Sequence, residues 1–220
     1  GRLQGHGVRQ FAALEQRETV TRTFTLAAVS GQRTLVVDNV TGSIDIEAAS
    51  GDTVELSLKQ TFIARNAAGM ARARQEVVLE VTENPGRLEL VQGGPWRCQG
   101  RERRRDGDCC CDHDGRADRD YQVRFDWTLK VPKNLDLDVD NVNEGAIRIT
   151  GTVGHLEVGH VNDDVTLVRV AGEVDANTVN GELKVDFAAA PAGDCRFGTV
   201  NGDIELAFPK GLGAELTSAP

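Results

Sequence analysis

The residues best suited to chemistry crowd into one stretch, 97–120. It reads RCQGRERRRDGDCCCDHDGRADRD and sets Cys98, Cys109, Cys110, Cys111 and His113 among seven Arg and seven acidic residues. Thiolates and an imidazole at this density can ligate zinc or copper, act as redox thiols, or form disulfides. The spacing fits zinc poorly, because such sites draw on paired C-x2-C or H-x3-H elements and three consecutive cysteines cannot all turn to one ion. In an exported chain a disulfide from Cys98 across the stretch is the default, with metal ligation and free redox thiols as alternatives. With almost nothing apolar to pack, 97–120 cannot form its own core and reads as a loop insertion between two strands.

Outside the insertion, the acids Asp138, Glu157 and Asp175 recur at a regular interval and end at Arg196. A polysaccharide-acting enzyme would need its acids and a base to converge on one patch, whereas a stripe spread along a sheet is a solvated face. The sequence holds no nucleophile elbow, P-loop, dinucleotide fingerprint or His-x-x-x-His pair. Asn162-Asp163-Asp164 lacks the rest of a calcium loop. The chain therefore reads as non-enzymatic, with no cofactor expected.

That interval belongs to a repeat. Four copies read VDNVNEGAIRI around Val142, VGHVNDDVTLV around Val161, ANTVNGELKVD around Val179 and FGTVNGDIELA around Val200, at spacings of 19, 18 and 21 residues. An earlier copy, VDNVTGSIDIEA around Val40, stands apart upstream. Repeats of this period stack, because one unit cannot bury its apolar face alone. Apolar columns precede the valine (Leu137, Leu156, Val174, Cys195; then Val139, Val158, Ala176, Phe197) and follow it (Ile147, Val165, Leu183, Ile204; then Ile149, Leu167, Val185, Leu206). Period-two alternation on both sides of a turn describes two short strands per copy. Val142, Val161, Val179 and Val200 are expected in one buried column, with the preceding Asn141, His160, Thr178 and Thr199 facing solvent. Asn143, Asn162, Asn180 and Asn201 mark the corners and are expected to form a structural amide ladder. Cys195, in an inward column, is expected inside, unreactive and unpaired.

The phrases VDNVTGSIDI and TVNGELKV, with YQVRFDWTLKVP before the repeats, resemble the bacterial "putative adhesin" family of β-solenoid envelope proteins over about residues 19 to 217. The resemblance implies a β-solenoid-like domain of the cell envelope, periplasmic or extracellular, and brings no catalytic residues. The Cys-rich insertion, and VNEG and VNDD in place of the N-G corner, depart from the family pattern.

The fold expected is all-β, a β-solenoid or β-helix-like stack of short strands with N-G turns and at most one short helix. Residues 1–18 read as a flexible segment in which FAALEQRE could make a helical turn, and 19–220 as a single domain. Asn66 is placed to cap a short helix over NAAGMARARQ, and Asn84-Pro85-Gly86 to turn a hairpin. The closing GLGAELTSAP reads like the opening strand of another copy, favouring a longer native chain. A formal charge of −9 disfavours nucleic acid and anionic membrane partners. No run of 18 apolar residues is present, so no span is expected. The functional expectation is an adhesin-like envelope or surface module mediating binding or assembly. Its partner would be an unknown surface ligand or another envelope protein, with homotypic association through a solenoid end or loop cysteines also open. The alternative is a metal-binding or redox-sensing protein that displays the insertion.

Overall fold

A computed structural model of the chain describes residues 13–26, 31–97, 120–191, 193–211 and 217, and there the segments of period-two alternation are strands. The first half comprises β1 (Leu14–Thr25), β2 (Thr34–Asn39), β3 (Ile44–Ala49), β4 (Thr53–Ala64), helix α1 (Ala67–Glu76), β5 (Val78–Asn84), β6 (Arg87–Gly93) and β7 (Tyr121–Pro132). The repeats supply β8 (Asp136–Asn141), β9 (Ile147–Thr150), β10 (Leu156–His160), β11 (Val165–Val170), β12 (Val174–Asn180), β13 (Leu183–Phe187), β14 (Arg196–Asn201) and β15 (Ile204–Ala207). They form two mixed sheets, neither closed. One runs β1-β4-β7-β3-β9-β11-β13-β15 and the other β14-β12-β10-β8-β2-β6-β5.

Each late copy gives one strand to each sheet, and successive copies pair in parallel. Leu137, Leu156 and Val174 are in register in one sheet, and Ile147, Val165 and Leu183 in the other. The early copy, about a hundred residues upstream, inserts at the head of this series. Val37 pairs with Val139 and Ile46 with Ile149, so Val40 is the corner directly before Val142. Apolar columns from both sheets meet between them, and most of these side chains are essentially inaccessible. At the head of the stack, Phe125 and Trp127 pack edge to face at 6.0 Å inside this core.

The first half departs from the short-strand expectation. β1, β4 and β7 each run 12 residues and pair antiparallel, extending the eight-stranded sheet past the corners. The helical turn expected in FAALEQRE is not formed over its second half: Leu14 to Glu18 are strand, pairing with Ala64 to Gln60. The edge of β4 offers backbone partners along its whole length, which outweighs the weak helical preference of five residues. Asn66 does cap α1, its side chain accepting from Gly69 N at 2.8 Å. The expected turn at Pro85-Gly86 joins β5 to β6 as an antiparallel hairpin, with Gly86 at φ 75°.

The valine column is corrected. Val142 and Val179 are exposed, Val200 is 73% exposed, and Val161 is half-buried. The preceding column, expected outside, is inside: Asn141, His160 and Thr178 are buried. Alternation from Leu137 and Val139 continues unbroken to Asn141 because β8 runs to that residue, so parity turns the next residue, the valine, outward.

Gly42 shows how tightly the corners approach. It has φ +123°, and a Cβ there would lie 2.0 Å from the carbonyl oxygen of Phe125. Gly51, at φ +118°, has open space around it. Gly51→Ala should therefore cost only conformational strain, about 1 kcal/mol, while Gly42→Ala should cost about 2 kcal/mol more because backbone must move. Urea midpoints of the two variants check this, and equal shifts would refute the close approach.

Candidate functional site

Polar residues collect where the chain leaves the seven-stranded sheet for the eight-stranded one. The last inward position of each strand forms a row: Gln92, Asn39, Asn141, His160, Thr178 and Thr199, on β6, β2, β8, β10, β12 and β14. The first five are buried and Thr199 is half-buried. Each serves backbone that the bend deprives of ladder partners. Asn141 Nδ2 donates to the carbonyls of Gly42 at 2.8 Å and Gly145 at 2.6 Å, and Oδ1 accepts from Val142 N at 3.1 Å and Asn39 Nδ2 at 3.2 Å. Gln92 Oε1 accepts from Val40 N and Thr41 N at 2.8 and 3.1 Å. Thr178 and Thr199 donate to the carbonyls of Asp163 and Gly181 at 3.1 and 3.3 Å. Sequence reasoning missed this row. Its signal was the parity of Leu137 and Val139, and the phrase Asp-Asn-Val that recurs at Val40 and Val142.

His160 is held neutral by its contacts. Nδ1 accepts from Val161 N at 2.8 Å and Nε2 faces the Gly145 carbonyl at 3.0 Å, which fixes the tautomer with hydrogen on Nε2. A proton on Nδ1 would set two donors against each other. Burial lowers the imidazole pKa, against the raising influence of the Gly145 carbonyl, Asp163, the Asn141 carbonyl and Asp164. Asp163 in turn receives Gly145 N at 3.0 Å, so the acids beside His160 are part of the same corner.

The corner amides lie one layer out, exposed. Asn180 Nδ2 donates to Asn162 Oδ1 at 3.0 Å, Asn201 Nδ2 to Asn180 Oδ1 at 2.8 Å, and Asn162 Nδ2 to the Val142 carbonyl at 3.0 Å. Asn143 donates instead to the Thr41 hydroxyl at 3.3 Å. Cys195 carries a free thiol that is only partly buried, because no further coil covers its column among the described residues. Burial and nearby acids push its pKa up. Cys98, Cys109, Cys110, Cys111 and His113 lie outside the described residues. Among the described residues no group of three or more His, Cys, Asp or Glu is arranged to hold a metal ion.

The outer face of the seven-stranded sheet carries the acids. Parallel register places Asp138, Glu157, Asp175 and Arg196 in one row, and pairs Asp38 with Asp140 in the next. Gly159 follows Asp140 in that row, where a Cβ would stand 2.3 Å from Asp140 Oδ1. Desolvation and the carboxylates of Asp138, Asp38 and Glu157 push Asp140 up to about 6. Arg97 bonds Asp38 at 2.6 Å at the edge of this face, while Arg196 stands 3.9 Å from Asp175. A crevice of about 230 Å³ opens between β1 and β5, lined by Val20, Phe62, Val77 and Leu79. Arg74 closes over it, ion-paired to Glu18 and 5.8 Å above the Phe62 ring.

No family model matches the sequence, and no curated protein matches it. Among solved structures the chain is similar to a "putative cell adhesion protein" from Clostridium sporogenes ATCC 15579. The two are 12% identical with a TM-score of 0.42, covering 88% of this chain and 100% of that one. It is also similar to a "putative adhesin" from Bacteroides fragilis NCTC 9343, 10% identical with a TM-score of 0.27 over 86% of this chain and 97% of that one. A third, a "putative lipid binding protein" from Parabacteroides distasonis ATCC 8503, is 8% identical with a TM-score of 0.27 over 85% and 96%.

The two polar layers should differ in energetic weight. Asn141→Ala leaves buried carbonyls and amides unpaired and should cost about 1–3 kcal/mol. Asn180→Ala, on the exposed ladder, should cost about 0.5 kcal/mol. Denaturant midpoints measure both, and similar losses would refute the distinction.

Acid should act on the corner and the face in opposite directions. His160 has a lowered folded pKa, so its contribution is present above the unfolded value of 6.5 and is lost as pH falls from there. Asp140 has a raised folded pKa, so its contribution is present below 3.8 and is lost as pH rises through about 6. His160→Asn should therefore flatten the loss of stability on acidification below 6.5, whereas Asp140→Asn should steepen it. Unfolding free energies followed against pH for both variants test the signs.

Proposed function

We propose that this chain is a non-enzymatic, adhesin-like module of the bacterial cell envelope or exterior, a β-solenoid-like stack that binds a surface ligand or another envelope protein. The observation that carries the reading is the parallel register of the copies in the seven-stranded sheet. It turns single outward residues into straight rows and gives the seven-stranded sheet a broad, regular face. Acids dominate one of those rows and begin the next, with Asp38, Asp138, Asp140, Glu157 and Asp175 on one surface. Such a face favours a partner presenting cationic groups and repels phosphate-rich polymers. The histidine and amides of the corner are already engaged by backbone, which supports a structural use for them.

The test is a binding screen of the full chain against immobilised glycans and purified envelope and matrix proteins, followed by the Asp38→Asn/Asp138→Asn/Asp140→Asn variant on any hit. Binding should weaken about tenfold in that variant and decline with added salt, because the face is solvent-exposed and screened. A ligand that binds the variant and the parent equally would place recognition elsewhere. Catalytic turnover of any hit would overturn the non-enzymatic reading.

A further inference from the structure

The two edges at the far end of the stack belong to one coil. β14 ends one sheet and β15 the other, and among the described residues neither has an outer neighbour. Columns that are closed elsewhere are open here. Leu183 and Val165 are fully buried while Ile204, next in their column, is 41% exposed, and Leu206, Phe197 and Phe208 are only partly covered. β14 reads RFGTVN and β15 IELA, with no proline and no lysine, the residues that commonly blunt a free edge. This end face is continuous with the interface by which each coil packs on the next within the chain.

We infer that this end pairs with the same end of a second copy, about a twofold axis normal to both sheets. Such an axis keeps each sheet in its own plane, so it sets β14 antiparallel to β14 of the copy and β15 antiparallel to β15 in one operation. The sequence supplies a register that suits both edges. Gly198 stands four residues before the Gly202 corner and Leu206 four after it, so both lie equally far along the two strands. An axis through these two residues sets Gly198 against itself, where no side chain obstructs. It sets Phe197 against Thr199 on the inner side and Arg196 against Val200 on the outer side. In the other sheet Leu206 meets itself, Ile204 meets Phe208, and Glu205 meets Ala207. No like charges face each other, and the exposed Val200 and Ile204 are covered. A second copy suits the end better than an unrelated strand, because one symmetry satisfies two edges and one self-complementary register serves both. The inference goes beyond the proposed binding role and does not depend on it, since an end can pair whatever the sheet faces recognise.

The test is sedimentation equilibrium of the full chain with reductant present, so that cysteine cross-links cannot contribute. A closed monomer–dimer equilibrium is expected. Val200→Arg sets Arg against Arg196 of the copy twice and should weaken dimerisation at least about tenfold. Adding Arg196→Glu to Val200→Arg should restore it, a rescue that a merely structural effect would not produce. Amide exchange should show β14 and β15 gaining protection as concentration rises. Four results overturn the inference. Three of them are a chain monomeric at every concentration, a dimer indifferent to Val200→Arg, and open-ended growth, which means head-to-tail contact. The fourth is protection of β14 in a monomer at every concentration, which means that residues 212–220 of the same chain cover the edge.

Discussion

The structure depends on keeping backbone polar groups partnered where the chain turns from one sheet into the other. Inside a strand the neighbouring coil satisfies each N–H and C=O, but at a bend the ladder direction is lost and the corner carbonyls point inward. The row of buried Gln92, Asn39, Asn141, His160 and Thr178 and half-buried Thr199 answers this with side chains at the last inward position of each strand. Asn39 and Asn141 reach two coils at once through the Gly42 carbonyl, which both amides share. A purely apolar residue at this position would fill the space and leave those carbonyls unmet, at a cost of about 1–3 kcal/mol per group. The repeat is therefore conservative about bonding capacity and free about residue type, since Asn, His and Thr each bring a donor.

The same constraint explains what the sequence made legible. Columns such as Leu137, Leu156 and Val174 are plain because every member is apolar and the partner columns two residues away agree. The cap at Asn66 and the turn at Pro85-Gly86 are plain because one residue's local chemistry decides them. The corner is where composition misleads. A valine at a fixed place in every copy looks like core and an Asn or His beside it looks like surface, yet strand parity decides orientation and composition does not. His160 sits inside because its ring nitrogens replace backbone partners, a demand that no hydropathy scale registers. The long antiparallel strands β1, β4 and β7 were legible as strands, but their pairing depends on an edge that only the assembled stack creates. The adjacency of the Val40 and Val142 copies was out of reach for the same reason: the described part of the intervening chain includes the hairpin, helix and long strands that flank the junction.

The acidic face follows from the repeat geometry as well. Rows at strand spacing force like charges into proximity whenever consecutive copies carry them, and Asp38, Asp138, Asp140 and Glu157 do. A stack maintained only for stability would gain by setting opposite signs on neighbouring strands, as the other sheet does with Asp45 beside Arg148 and Lys184 beside Glu205. Glycine at position 159 leaves room for the Asp140 carboxylate on one side of the row, while Asp38 stands on the other. Charge repulsion tolerated on an exposed surface fits the binding role proposed above.

The two ends of the stack differ in kind, and that difference grades its stability. At the head, antiparallel strands of 12 residues, the helix and an aromatic pair bury the first coils from several directions. Toward the tail each coil is held by its predecessor and its successor alone, and the last has only a predecessor among the described residues. Where strands pair only with those of the preceding and following copies, the loss of one neighbour falls entirely on the terminal strands. Opening should therefore begin at β14 and β15 and stop at successively more costly coils toward Trp127. The stacked rings of Phe187 and Phe208, 5.1 Å apart, oppose this by joining the last strand to its predecessor. They bring to the tail a partial version of what Phe125 and Trp127 provide at the head, and the side chains they leave uncovered are those that face away from the stack.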